Sequence, residues 1–374
     1  MTAHLTTTAV ARRAAVIAAA GVMTVAAAAG TAGAAPAPRP AGSGHASAAA
    51  QGGPSAAGLN LLLRADPWKV VETRRAPDRT WDQAREIPQF AGLWYWTVTV
   101  DHGRKRMLGA QSLSSGKRFV QSVQQPDGSW SEVTPMVGLA DLPVSQDYWQ
   151  MGRIKSSWVN GQLQVTAIDP AGRVLHTVER ADGSWQPWGV VSASSGLGSG
   201  QFFSVATTEL NGELQLVGTT WAGEVLHTIR HADGSWQPWG NVMGATGTPS
   251  PWGWTTDVAV AGINGALQVV VCDNSQVGAY HAIRGADGRW TRWGDVPGQV
   301  HFDRAGYYGS NLGGVDGAAV DGEFQLVFAP STNTGDLYHT IRHADGRWDQ
   351  AGHVQDAVDL SRWRPVATGA AAAG

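Results

Sequence analysis

Cysteine is almost missing: Cys272 stands alone among 374 residues, so no internal disulfide framework can hold this chain together. Charge is sparse too. Asp, Glu, Lys and Arg supply 15% of the residues and the formal net charge is −3. That balance gives no electrostatic basis for nucleic-acid binding or for adsorption to an anionic membrane. No helical period competes over the repeated body of the chain. Neither a Gly-x-Ser-x-Gly element nor a His-Glu-x-x-His motif occurs, no residue pattern implies a cofactor, and no complete catalytic motif is present, so the enzyme reading stays open but leans negative. What the chain does have is 48 glycines and 18 tryptophans, the latter far above ordinary globular usage.

The first residues are read as targeting rather than fold. Arg12 and Arg13 form a basic region, an alanine-rich run follows from Ala14 to Ala29, and Ala32-Gly33-Ala34 offers a small-x-small cleavage site. Residues 1–34 are expected to be a secretory signal peptide. The general secretory route is placed ahead of twin-arginine export, because the residues after the arginine pair are weakly hydrophobic. The alternative, a membrane anchor, is disfavoured because the run falls short of the roughly 20 strongly apolar residues a span needs. Residues 35–57, rich in Ala, Pro, Gly and Ser, are expected to be a disordered linker, and 370–374 a flexible tail. The expected location is extracellular.

Between these ends the phrase "HTIRHADGSWQPWGNV", starting at His227, has close relatives at His176, His281 and His339. Anchored on the tryptophan after the turn, six copies appear, at Trp81, Trp130, Trp185, Trp236, Trp290 and Trp348. A period near fifty residues is the size of a four-stranded propeller blade. The fourth copy shows the strands: "FFSVATTEL", "ELQLVGTT", "EVLHTIRH" and "SWQPWGNV". Asn-Gly at 160, 211 and 264, Asp321-Gly322, and Asp-Gly at 127, 182, 233, 287 and 345 punctuate them, as type I′ hairpins would, with positive φ at both central residues. The expected fold is all-β, a six-bladed β-propeller of four-stranded antiparallel blades over residues 58–369. Blade one lacks a first strand before Leu59. The C-terminal segment around Pro365 to Thr368 resembles "QFFSVATTELN" and is expected to supply it, closing the ring.

Most of the repeated phrase reads as scaffold. His176, His227, His281 and His339 are replaced by Glu72 and Gln121 in blades one and two; equivalent residues of different blades point to different places, so a blade-to-blade hydrogen bond is expected rather than a metal site. The sixfold tryptophan fits inter-blade packing, while Trp188, Trp239 and Trp293 occur in three copies. The turn aspartates read as turn formers, and Cys272 as a buried, inert thiol. Long, variable loops lie on the opposite face, where binding residues collect. There the aromatics gather: Trp94, Tyr95 and Trp96; Tyr148 and Trp149; Phe202 and Phe203; Trp252 and Trp254; Tyr307 and Tyr308; Trp363; Trp68 and Trp221. Each can be packing or a platform for a sugar ring. Asp147, Gln150, Asp257, Asp303, Arg304 and Asn311 are nearby polar candidates.

On this blade length, blade count and tryptophan content, the region from about 59 to 369 resembles secreted β-propeller lectins: the six-bladed fucose-binding lectins of fungi and bacteria, and tachylectin/tectonin-like propellers. The resemblance implies a glycan partner, held between adjacent blades by an arginine, an acid or amide, and an aromatic. Arg230, Arg284 and Arg342 at the ends of third strands would fill the arginine role. Arg75 aligns with them, whereas Gln124 and Glu179 occupy that position in blades two and three. The expected ligand-binding residues are thus Trp94, Trp96, Trp149, Trp221, Trp252, Trp254, Tyr307, Tyr308, Arg230, Arg284 and Arg342. Two other classes compete. "ADGSW" resembles a sialidase Asp-box in position but has Asp and Gly adjacent, so a hydrolase or polysaccharide lyase is one alternative; a protein-interaction propeller is the other.

Overall fold

A computed structural model describes residues 58–65, 69–101, 103–143, 154–191, 202–247, 255–273, 278–301, 312–330, 336–361 and 365–368. The expected signal peptide, linker and tail lie outside them. The strands form six antiparallel sheets of at least four strands each, a six-bladed β-propeller. Blade four runs in order through Phe202–Leu210, Glu213–Thr220, Val225–Arg230 and Gly240–Asn241. Blades three, five and six repeat this order, and blade two adds Leu142–Pro143 against its third strand. The first strands of successive blades pack on one another, which sets them innermost.

In blade one, Leu59–Ala65 pairs with Lys69–Arg75, so Leu59 begins a second strand. On its other edge runs Pro365–Thr368, with Leu63 opposite Thr368 and Arg64 opposite Ala367.

Two local predictions need correction. Hairpins between first and second strands are type I′: Asn160, Asn211, Asn264 and Asp321 have φ of 50 to 55° and the following glycines 74 to 78°. In the third-to-fourth hairpins, among the described residues, the glycine has positive φ and the aspartate does not. The aspartate instead turns the chain with its side chain; Asp233 Oδ1 accepts from both the backbone N–H and the hydroxyl of Ser235. This is a turn closed by a left-handed glycine.

The fourth strands are also shorter than the sequence implied, two residues plus one bridge at the tryptophan, as in Arg230 opposite Trp236. Between these points a third-strand hydroxyl replaces a ladder bond. Thr73, Thr177, Thr228 and Thr340 each donate to the carbonyl after the tryptophan, at 2.5 to 2.7 Å.

The core is a set of inter-blade layers rather than one centre. Leu62, Phe90, Trp96 and Trp130 pack between blades one and two. Leu108, Phe119, Leu163 and Trp185 fill the layer between two and three, and Val217, Val260 and Val269 that between four and five.

Candidate functional site

The third strands carry the chemistry because their side chains alternate between the two neighbouring layers. In blades three to six the repeated histidine is bonded through Nε2 to a glutamine of its own second strand: His176 to Gln164 at 2.9 Å, His227 to Gln215 at 3.0 Å, His281 to Gln268 at 2.8 Å, and His339 to Gln325 at 3.1 Å. The expected blade-to-blade hydrogen bond is therefore an intra-blade one. The contact across the cleft is aromatic. Each imidazole meets the next blade's tryptophan edge-on: His176 with Trp236, His227 with Trp290, His281 with Trp348 and His339 with Trp81, centroids 5.2 to 5.6 Å apart.

Beside each tryptophan lies the arginine it bridges through backbone, Arg230, Arg284, Arg342 or Arg75. Burial first, and then the neighbouring blade's arginine charge, push the four histidines down to about 3. They are neutral imidazoles near pH 7. With the glutamine oxygen accepting, Nε2 carries the proton.

Arg230, Arg284 and Arg342 are partly buried. Among the described residues no oxygen accepts a hydrogen bond from any of the three side chains, and the Arg342 Nε is buried without a partner. Arg75 differs, with a 3.5 Å contact to Gln325 Oε1. Desolvation lowers the pKa of Arg230 and Arg342.

Two clefts are closed differently. Between blades two and three, Arg106 replaces the glutamine and Glu179 the arginine. They form a two-pronged ion pair at 2.7 Å, with the guanidinium 5.7 Å from the Trp185 ring centroid. Trp185 is fully buried, and the Val137 carbonyl accepts from its backbone N–H. Between blades one and two, Glu72 is bonded to Lys105 at 3.1 Å and also to Arg85, while Phe90 packs edge-on against Trp130. In the other four clefts the tryptophan stays partly exposed.

Of the expected site residues that are described, the three arginines and Trp221 lie at opposite ends of the third strands. Arg230, Arg284 and Arg342 sit at the Asp-Gly hairpin end of the third strands, where the Arg230 and Arg284 guanidinium nitrogens are 3.2 Å from where a Cβ on Gly234 or Gly288 would be. Trp221 lies at the other end, in the turn before Val225–Arg230, edge-on to Phe203 at 4.6 Å. Trp96 is 3% exposed and belongs to the layer between blades one and two. Trp94 falls within Leu93–Asp101, its side chain outside the described set. Trp149, Trp252, Trp254, Tyr307 and Tyr308 also lie outside the described residues, as do Asp147, Gln150, Asp303, Arg304 and Asn311.

Asp257 is buried on an innermost strand and accepts from Ser204. Near it, Lys155 of blade three reaches Asp316 of the opposite blade six, Nζ to Oδ2 2.7 Å, both under 5% exposed. Sequence reasoning passed over this pair and the cleft glutamines. The signal available was a glutamine at one place in four second strands, "QLQV", "ELQL", "ALQV" and "EFQL". Among the described residues no group of three or more His, Cys, Asp or Glu is placed to hold a metal, and no helix is long and apolar enough to cross a membrane.

Comparison with solved structures defines the class as a six-bladed propeller with the fold of fungal and bacterial lectins. The Aleuria aurantia lectin, as a mutant bound to Fucalpha1-6GlcNAc, matches with a TM-score of 0.54 at 13% identity, over 78% of this chain and 90% of that one. A mutant of AofleA from Arthrobotrys oligospora, with three arginines changed to alanine, matches with 0.53 at 10% identity, over 76% and 79%. The BP39L lectin of Burkholderia pseudomallei matches with 0.51 at 15% identity, over 80% and 85%. No protein-family model matches the sequence, and no curated protein does.

Proposed function

We propose that the protein is a secreted carbohydrate-binding propeller that seats sugars in the clefts between its blades. One observation carries this: four clefts repeat the same set, a partly exposed tryptophan, an arginine, a neutral histidine and its glutamine. The guanidinium of Arg230, Arg284 or Arg342 presents a fork of N–H donors with no acceptor among the described residues, suited to the oxygens of a sugar. The indole offers an apolar wall to the C–H face of the ring. Lectins share the fold, including one bound to Fucalpha1-6GlcNAc and to alpha-methyl-L-fucoside. Secretion rests on the basic and apolar pattern of residues 1–34.

A glycan array probed with the chain from residue 35 onward tests this. Binding is expected for the wild type, to be lost when Arg75, Arg230, Arg284 and Arg342 are all changed to alanine, and to persist in Trp221→Ala. Loss in Trp221→Ala alone would move the site to the loop face. No glycan binding together with turnover of a polysaccharide would overturn the reading in favour of an enzyme.

A further inference from the structure

We propose that the clefts between blades three and four and between blades five and six bind the oxyanion of an acidic saccharide, a sugar carboxylate or sulfate ester, on Arg230 and Arg342. The inference rests on reading the clefts as sugar sites and adds the charge of what they hold.

At three described cations buried between blades or on the axis, the chain supplies its own anion. Arg106 has Glu179 on two nitrogens, Lys105 has Glu72, and Lys155 has Asp316. Arg75 is compensated as well: it touches Gln325, and Asp349 and Glu323 act on its charge. Arg230 and Arg342 break that pattern, as Arg284 does in a cleft whose facing blade carries Glu213. Each is partly buried and unbonded among the described residues. The acids acting on them are their own turn aspartates, Asp233 and Asp345. Those carboxylates are engaged in the hairpin, Asp233 by Ser235 and Asp345 by the Arg347 backbone N–H.

The facing blade explains the difference. Two residues before the cleft glutamine, blades four and six carry Glu213 and Glu323, and these are occupied by His231 and His343. Blades three and five carry Gln162 and Ala266 at that position. Among the described residues the facing blade and the tryptophan thus bring uncharged groups to the clefts of Arg230 and Arg342: Gln164, His176 and Trp236 in one, Gln268, His281 and Trp348 in the other. A half-desolvated guanidinium against an indole gains most from an oxyanion that takes two of its N–H groups at once. Arg284 faces a blade with Glu213 and is expected to favour neutral sugar.

Calorimetric titration of the chain from residue 35 onward decides this. The probes are methyl glucuronoside, its methyl ester, N-acetylglucosamine 6-sulfate, N-acetylglucosamine, and alpha-methyl-L-fucoside. A charged sugar is expected to bind about tenfold or more tightly than its neutral counterpart, the step from a neutral to a charge-assisted pair of bonds. Two such sites per chain are expected, weakening with salt. Preference for the glucuronoside identifies a carboxylate, and preference for the 6-sulfate a sulfate ester. Arg230→Gln and Arg342→Gln should each remove one tight site with the melting temperature held, and Arg230→Lys should keep part of the charge preference. Equal affinity for charged and neutral sugars, or a charge preference that survives in the Arg230→Gln/Arg342→Gln chain, overturns the proposal while leaving sugar binding intact. If none of the five sugars binds, the lectin reading falls and this proposal with it.

Discussion

Arg79 occupies the place that glycine holds in the other five third-to-fourth hairpins, with φ of 71°. A side chain in the left-handed region costs roughly 1 kcal/mol that glycine does not incur, and Arg79 also repels Arg75. Arg79→Gly is therefore expected to stabilise the chain by about 0.5–1 kcal/mol, read as a higher urea midpoint at unchanged slope. A lower midpoint would mean that the arginine makes a compensating contact. At this scale the sequence was readable where chemistry forces one residue. Asn-Gly gave the type I′ hairpins because both positions need positive φ. Asp-Gly misled because an aspartate side chain can close the turn itself. The cleft glutamines were not legible, since a polar residue in a strand looks like any solvent-facing one until its histidine partner is placed diagonally across the ladder, two positions off the directly opposite residue.

The third strand is the element on which the blades are joined, and its histidines make that joint sensitive to acid. An unfolded imidazole titrates near 6.5, whereas His176, His227, His281 and His339 titrate at about 3 in the fold, burial being the main cause. The unfolded chain therefore binds more protons throughout that window, and stability falls as pH drops from 6.5 towards 3. At pH 5 each buried histidine costs about 2 kcal/mol relative to pH 7. His343 acts in the opposite sense: Asp349 and Glu323 raise its pKa, so its contribution is lost as pH rises. Asp316, whose carboxyl burial raises to about 7, acts in the same sense as His343; four against two, the urea midpoint is expected to fall between pH 7 and pH 5. His227→Gln, which places there the residue blade two has as Gln121, should flatten the profile. A midpoint independent of pH over that range would mean the imidazoles can charge in place. The existence of these strands was plain from punctuation, but the fourth strands proved shorter because a third-strand hydroxyl takes over a ladder position, a substitution no pattern of apolar residues signals.

For the whole molecule, the number of blades followed from counting one tryptophan per repeat. What crosses the ring could not be counted, because it is not repeated. The pairing of Pro365–Thr368 with Leu59–Ala65 makes the C-terminal segment a test of closure: deletion of residues 362–374 is expected to lower the melting temperature, and an unchanged melt would show that the ring holds without it. The axial pair gives the sharper case. Lys155 and Asp316 stand on opposite blades and are nearly excluded from water. Burial pushes the Asp316 carboxyl up to about 7 against the opposing pull of Lys155, with Asp257 pushing the same way as burial. A carboxyl raised in the fold favours folding below its unfolded pKa and loses that advantage as pH rises through about 7, so keeping this pair ionised is a cost. Removing one partner leaves a charge stranded on the axis, and Asp316→Leu alone should lose about 3–5 kcal/mol. Replacing both, as Lys155→Met/Asp316→Leu, removes two desolvated charges and keeps the volume, so the double variant should unfold at no lower urea concentration than the wild type at pH 8. If the double variant instead stays as unstable as the single one, the pair is a net source of stability, and the blades depend on a tie across the axis as well as on the layers between neighbours.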